Sequence, residues 1–143
     1  MYEEILFPTD GSKATVEALD HALAVARAHD ARIHVLYVID KRHYIAAEEE
    51  AKDDIRATLE EEGARAIDDA QVRIEDEGIA CNTEITDGVP HTAIVEYIGD
   101  HDIDMVVMGT HGKTGREQLA TLGSTTERVV KRATTPVLVV ELS

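Results

Sequence analysis

The apolar positions of this chain fall into two alternating kinds of run. Short stretches in which nearly every residue is apolar, Ile5–Phe7, Ile33–Ile39, Met105–Met108 and Val137–Val140, suit strands covered on both faces, as in a parallel sheet. Between them apolar residues recur at helical spacing. Val16, Leu19, Leu23 and Ala26 form one such stripe, and Ile55, Leu59, Ala66, Ile67, Ala70 and Ile74 form another within residues 48–77. Ile94, Val95 and Ile98 make a third helix that stops near Gly99, and a fourth runs through Val129 and Val130 until Pro136. One strand is of a different kind. From Ile79 to Thr86 the pattern alternates, with Ile79, Cys81, Thr83 and Ile85 on one face and Ala80, Asn82, Glu84 and Thr86 on the other. That predicts an edge strand with one wet face, and it places Cys81 on the buried side as a packed thiol.

Strands alternating with helices predict an α/β fold: a Rossmann-like five-stranded parallel sheet with helices on both faces and right-handed crossovers. The alternating third strand belongs at an edge, and the first and fourth, apolar throughout, belong inside. The order 3-2-1-4-5 satisfies both requirements. In that order the winding reverses between strands one and four, where the loops diverge and leave a crevice at the carboxyl ends of the strands. Pro8, Thr9 and Asp10 then lie beside Met108 and Gly109. Asp10 in such a place either caps a second helix or accepts hydrogen bonds from a ribose or base, or holds a divalent cation near phosphates. Local punctuation agrees with these elements. Ser12 is placed to cap the first helix, Asp40–Ala47 reads as an irregular connection, Gly78 fits a helix stop and Pro90 a helix start. Gly63 sits in the middle of the long acidic helix, where glycine costs about 1 kcal/mol relative to alanine and permits a kink.

The chemistry concentrates in one stretch, MVVMGTHGKTGREQLATLGSTTERVV, from Met105 to Val130. An apolar strand gives way to Gly109, Gly112 and Gly115, which allow close approach to the backbone. Gly123 and Ser124 then precede a helix, with Ser124 and Glu127 in capping-box spacing. The first amides of a helix are unpaired and its dipole favours negative charge, so a phosphate is the natural guest. Two familiar phosphate loops are excluded. Gly112, Lys113 and Thr114 mimic the end of a P-loop, but the required earlier glycine is Val107. The dinucleotide fingerprint fails because Thr110 and His111 separate Gly109 from Gly112. DHDID, residues 100–104, lacks the glycine and terminal glutamate of a calcium loop and reads as a polar turn.

Composition narrows the possibilities. The 143 residues are expected to form one domain, 1–143, with a proper core. A formal charge of -15 and a pI near 4.7 argue against a nucleic-acid surface. A nucleotide can still be held by backbone amides. No run of 18 apolar residues or amino-terminal leader is evident, which predicts a soluble, cytoplasmic protein with no membrane partner. A single cysteine excludes an intramolecular disulfide. Acidity with more arginine than lysine and few aromatics looks like a halophilic protein. Screening of such a surface predicts stability rising from low to molar salt.

The stretch around Gly109, Gly112, Gly123 and Ser124 resembles the nucleotide-binding signature of the universal stress protein family. ILFPTDGS, HVLYVID and VVMGTHG with GSTTERVVKRATTPVLVV extend the likeness over essentially the whole chain. The family signature has nine residues between its second and third glycines, and this chain has ten, from Lys113 to Leu122. The resemblance implies that Pro8, Thr9 and Asp10 border a nucleoside and that the Val38 backbone meets the adenine edge. Met108, Gly109, Gly112, Gly123, Ser124 and Thr125 would hold ribose and phosphates. The ligand implied is ATP or AMP, with Mg as a possible companion. The strand Val137–Val140, uncharged until Glu141, needs cover at its edge. A second copy across a twofold axis supplies it, and the family is known for such dimers.

A homodimeric adenine-nucleotide-binding stress-response protein is therefore expected. The alternative is a dimeric interaction module of the same fold without nucleotide, favoured by the extra residue after Gly112. No paired acid and base, no Ser/His/Asp set and no metal cluster stands out. Slow ATP hydrolysis or autophosphorylation occurs in parts of the family, and for the latter Ser124, Thr125 or Thr9 could accept the phosphate. A receiver domain would need a lysine after the fifth strand, which VLVVELS lacks, and PTDGS is not the pyrophosphate loop of an adenylating ligase.

Overall fold

A computed structural model describes residues 1–110 and 122–141. The elements are β1 (Glu4–Pro8), α1 (Lys13–His29), β2 (Arg32–Asp40), α2 (Glu49–Asp76), β3 (Cys81–Gly88), α3 (Pro90–Asp100), β4 (Met105–Gly109), α4 (Ser124–Arg132) and β5 (Val137–Val140). A 3-10 turn at Lys41–His43 interrupts the connection between β2 and α2, which the sequence had marked as irregular. Every strand pair is parallel and the sheet order is β3-β2-β1-β4-β5, as the apolar pattern required. No described helix is long and apolar enough to cross a membrane.

Strand alternation divides the core into two layers. Ile5, Phe7, Ile33, Val35, Tyr37, Ile39 and Val107 face α1 and α2, whereas Leu6, Leu36, Val106 and Met108 face α3 and α4. β1 lies at the centre, with Ile5 and Leu6 fully buried and Phe7 at 1% exposure. Burying each such side chain contributes roughly 1.5–3 kcal/mol. One polar residue is drawn into the second layer. His34 is 3% exposed, and its ring nitrogens meet Glu4 Oε1 at 2.6 Å and Tyr97 Oη at 2.8 Å, so its burial leaves no ring nitrogen unpaired.

Several expectations are corrected by packing. Val16 is 53% exposed, and the buried stripe of α1 is Ala18, Leu19, Ala22, Leu23 and Ala26. At 100° per residue the inward position of the first turn belongs to Thr15, whose hydroxyl contacts Thr9 Oγ1 at 3.0 Å, and Val16 is turned outward. α2 runs through Gly63 as one continuous helix, Glu49–Asp76. The glycine is there because the Tyr37 ring lies against it: a Cβ at position 63 would sit 2.6 Å from Tyr37 Cδ1. β3 begins at Cys81 and not at Ile79, and Thr83 is exposed, because the edge strand is only partly covered. Tyr97, not Val95, supplies the third buried residue of α3 beside Ile94 and Ile98.

Candidate functional site

The register of the sheet creates the crevice. β1 and β4 are paired at Ile5 with Met105 and Leu6 with Val106, and there the paired register ends. Beyond that point β1 stays with β2, through Pro8 opposite Leu36 and a Thr9 amide donating to the Leu36 carbonyl at 2.9 Å. β4 stays with β5, through Gly109 opposite Val140 and a Thr110 amide donating to the Val140 carbonyl at 3.0 Å. Each strand keeps its outer neighbour and lets go of the other. The winding reverses between these two strands, where open α/β sheets hold ligands.

On the β1 side the loop is pinned by its own side chains. Thr9, 8% exposed, accepts the Gly11 amide at Oγ1 (3.1 Å) and contacts Thr15 Oγ1. Asp10, half-buried, accepts the Ser12 amide at Oδ1 (3.0 Å). Gly11 turns the chain with φ of 82°, a conformation that disfavours a side chain. Ser12 occupies the N-cap position of α1, but its side chain makes no capping bond; the carboxylate of Asp10 and the hydroxyl of Thr9 order the turn instead. Val38, two residues past Leu36 on β2, is half-buried against the α3 and α4 layer at the same end of the sheet.

On the β4 side Met108 and Gly109 are buried at the strand end. The head of α4 departs from the expected capping box. Gly123 is the N-cap and Ser124 the first helical residue, with no side-chain cap. The reason is that the Gly123 carbonyl already accepts the Glu127 amide at 2.9 Å, while its amide donates to the Thr110 carbonyl at 2.7 Å. Ser124 is exposed and Thr125 half-buried, so both lie within reach of a ligand at the head of α4. Gly112 and His111 lie outside the described residues. Thr126, a residue the sequence reading did not single out, is 4% exposed and donates its hydroxyl to the Gly109 carbonyl at 2.8 Å. Its spacing of three from Val129 was the only signal that it faces inward.

Charges at the carboxyl ends of β2 and β3 are already spent on one another. The Arg56 guanidinium, bonded at 2.7 and 2.9 Å, holds the Asp87 carboxyl below the ordinary carboxylate range, and Tyr44 donates to the same group at 2.8 Å. Arg42 does the same for Asp40. Burial, with Arg128, Arg132 and Arg42 nearby, depresses His91 and favours its neutral form. Among the described residues no group of three or more His, Cys, Asp or Glu is placed to hold a metal ion. Among the described residues the crevice offers backbone amides, hydroxyls and the Asp10 carboxylate, equipment suited to a phosphorylated ligand.

A doubly wound sheet with this order, this point of divergence and a Gly-Ser helix start defines a class of α/β ligand-binding domain. The universal stress protein family model matches residues 1–141, and the chain belongs to that family. It is 40% identical to universal stress protein MJ0531 of Methanocaldococcus jannaschii over 142 residues, covering 99% of this chain and 83% of that protein. The solved structure of MJ0577, from the same organism, superposes with a TM-score of 0.90 at 36% identity over 100% of this chain and 98% of that one. Two more distant structures share the fold. A universal stress protein in complex with cAMP has a TM-score of 0.76 at 24% identity, covering 99% of each chain. An Arabidopsis thaliana family protein with AMP bound has a TM-score of 0.72 at 19% identity, covering 99% of this chain and 92% of that one.

Proposed function

We propose that the protein binds an adenine nucleotide, ATP or AMP, in the crevice between β1 and β4, and serves a stress response through that occupancy as a homodimer. The observation that carries this reading is the parting of β1 and β4 after Leu6 and Val106, directly in front of the head of α4. Pro8, Thr9 and Asp10 would border the nucleoside, with the Val38 backbone at the adenine edge. Gly109, Gly112, Gly123, Ser124 and Thr125 would take the phosphates, with Met108 flooring the ribose. The positive end of a helix dipole suits their charge. Magnesium would need few protein ligands, since it keeps water and phosphate oxygens around it. Asp10 is the one carboxylate among the residues assigned to this site. Members of the same fold that hold cAMP and AMP are consistent with this assignment.

β5 forms one edge of the sheet, with Leu138 36% exposed. A second copy along Val137–Val140 would cover that edge. The net charge of -15 suits a salt-rich cytoplasm. Isothermal titration with ATP or AMP and magnesium, in molar KCl, tests the binding. Saturable heat in the micromolar range that Asp10→Ala weakens would support the crevice, and no heat at high micromolar ligand would favour the module without nucleotide. Phosphate release measured on the same samples separates a held ligand from a consumed one. Sedimentation showing only monomer at micromolar concentration would refute the dimer.

A further inference from the structure

The base of the segment between β4 and α4 is closed by three hydrogen bonds on one short piece of backbone. The peptide unit joining Gly109 to Thr110 is gripped on both sides. Its carbonyl accepts the buried Thr126 hydroxyl at 2.8 Å, and its N–H donates to the Val140 carbonyl at 3.0 Å. The next carbonyl, that of Thr110, accepts the Gly123 amide at 2.7 Å. Thr110 and Gly123 are thus joined directly, so the end of β4 and the start of α4 are fixed to each other.

We propose that Thr126 is the positioning residue of the nucleotide crevice: its hydroxyl locks the mouth of β4 to the first turn of α4. The inference rests on the nucleotide reading of that crevice. The contact is suited to the task because the two groups belong to the two elements that must be held in register. Gly109 ends the strand, and Thr126 is the third residue of α4. Neither group reaches solvent, so water does not substitute for a lost bond, and a carbonyl left without its donor is costly. Thr126 is not expected to touch the ligand.

The test compares wild type, Thr126→Val, Thr126→Ser and Tyr97→Phe by ATP titration with magnesium and by thermal melting, all at the same KCl concentration. Tyr97→Phe removes another buried hydrogen bond, that to His34, in the α3 layer, and so reports what a stability loss alone does to affinity. The expected result is a Kd raised about tenfold in Thr126→Val, since a misplaced helix head loses charge-assisted contacts. Thr126→Ser should stay within about threefold of wild type because it keeps the donor, and Tyr97→Phe should lower the melting temperature without moving Kd. Should the valine variant fail to fold, Thr126→Ala carries the same prediction. Wild type and Thr126→Val binding equally would overturn the inference and leave the nucleotide reading standing. Equal losses in the serine and valine variants would also overturn it. A wild type that binds no nucleotide would overturn the reading and the inference together.

Discussion

Gly63→Ala separates two accounts of the same glycine. In a helix with nothing against it, alanine is favoured over glycine by about 1 kcal/mol, so the substitution should stabilise. Here the added methyl carbon would sit 2.6 Å from Tyr37 Cδ1 and 2.8 Å from Cε1, within a layer where Tyr37 is 4% exposed. Those are ring atoms of a packed side chain, with no flexible end to swing aside, and overpacking of this kind costs roughly 1–3 kcal/mol. With a clash near 2 kcal/mol offset by the helix gain, the net effect is a loss of about 1 kcal/mol, or roughly 2–4 °C in melting temperature for a chain of this size. The sign should reverse when the ring is absent. In a Tyr37→Val background the alanine has no ring to meet, and should add about 1 kcal/mol, a coupling of about 2 kcal/mol between the sites. Urea unfolding followed by circular dichroism at fixed KCl measures all four proteins. Gly63→Ala stabilising the wild type, or acting with the same sign in both backgrounds, would refute the reasoning. The Tyr37 ring also reaches Gly11, whose Cβ position is 4.0 Å from Cε2, so the variant should disturb the loop that carries Asp10.

Three further outcomes follow from charge and burial. With a net charge of -15, the melting temperature should rise between about 0.1 and 1 M KCl, as the screening length falls from roughly 10 to 3 Å; a flat profile would remove the self-repulsion account. Burial, with Glu84 and Glu4 nearby, pushes the Tyr97 hydroxyl up to about 12 from an ordinary 10.0. The folded state therefore favours the neutral phenol, a stabilisation complete below pH 10 and lost as pH rises toward 12. Absorbance at an ultraviolet phenolate wavelength should show a step near that value in wild type that is smaller by one tyrosine in Tyr97→Phe. Burial, reinforced by Glu75, pushes the Cys81 thiol up to about 11 from 9.0. Its alkylation near neutral pH should be roughly 100-fold slower than that of a free thiol, and equal rates would contradict the packing seen for β3.

The strand order was legible because each strand carries its own burial in its pattern. Ile5–Phe7 and Met105–Met108 are apolar on both faces and take central places, and the alternating run after Gly78 takes an edge. The two ends of the crevice were legible for the same reason, since Thr9, Asp10 and Gly109 lie just past the ends of those runs. What escaped notice depends on partners distant in sequence. Gly63 looks like a weakness in α2 until Tyr37 is placed against it, and Thr126 looks like an ordinary polar helix residue until Gly109 is beneath it. Val16 was misread because an apolar side chain fits helical spacing as well as Thr15 does, and only the Thr9 hydroxyl decides which of them turns inward. His34 was read as one more position in an apolar strand, though burial of its ring requires Glu4 and Tyr97 on either side.

The central claim is about place as well as binding, so the most direct measurement is one that reports both. A nitrogen-15 amide spectrum titrated with ATP and magnesium in molar KCl should show saturable shifts centred on Thr9, Asp10, Gly11, Gly109, Thr110, Ser124 and Thr125. Amides of β3 and of the outer face of α2 should stay still. Shifts absent at millimolar nucleotide, or centred anywhere but the parting of β1 and β4, would contradict the account.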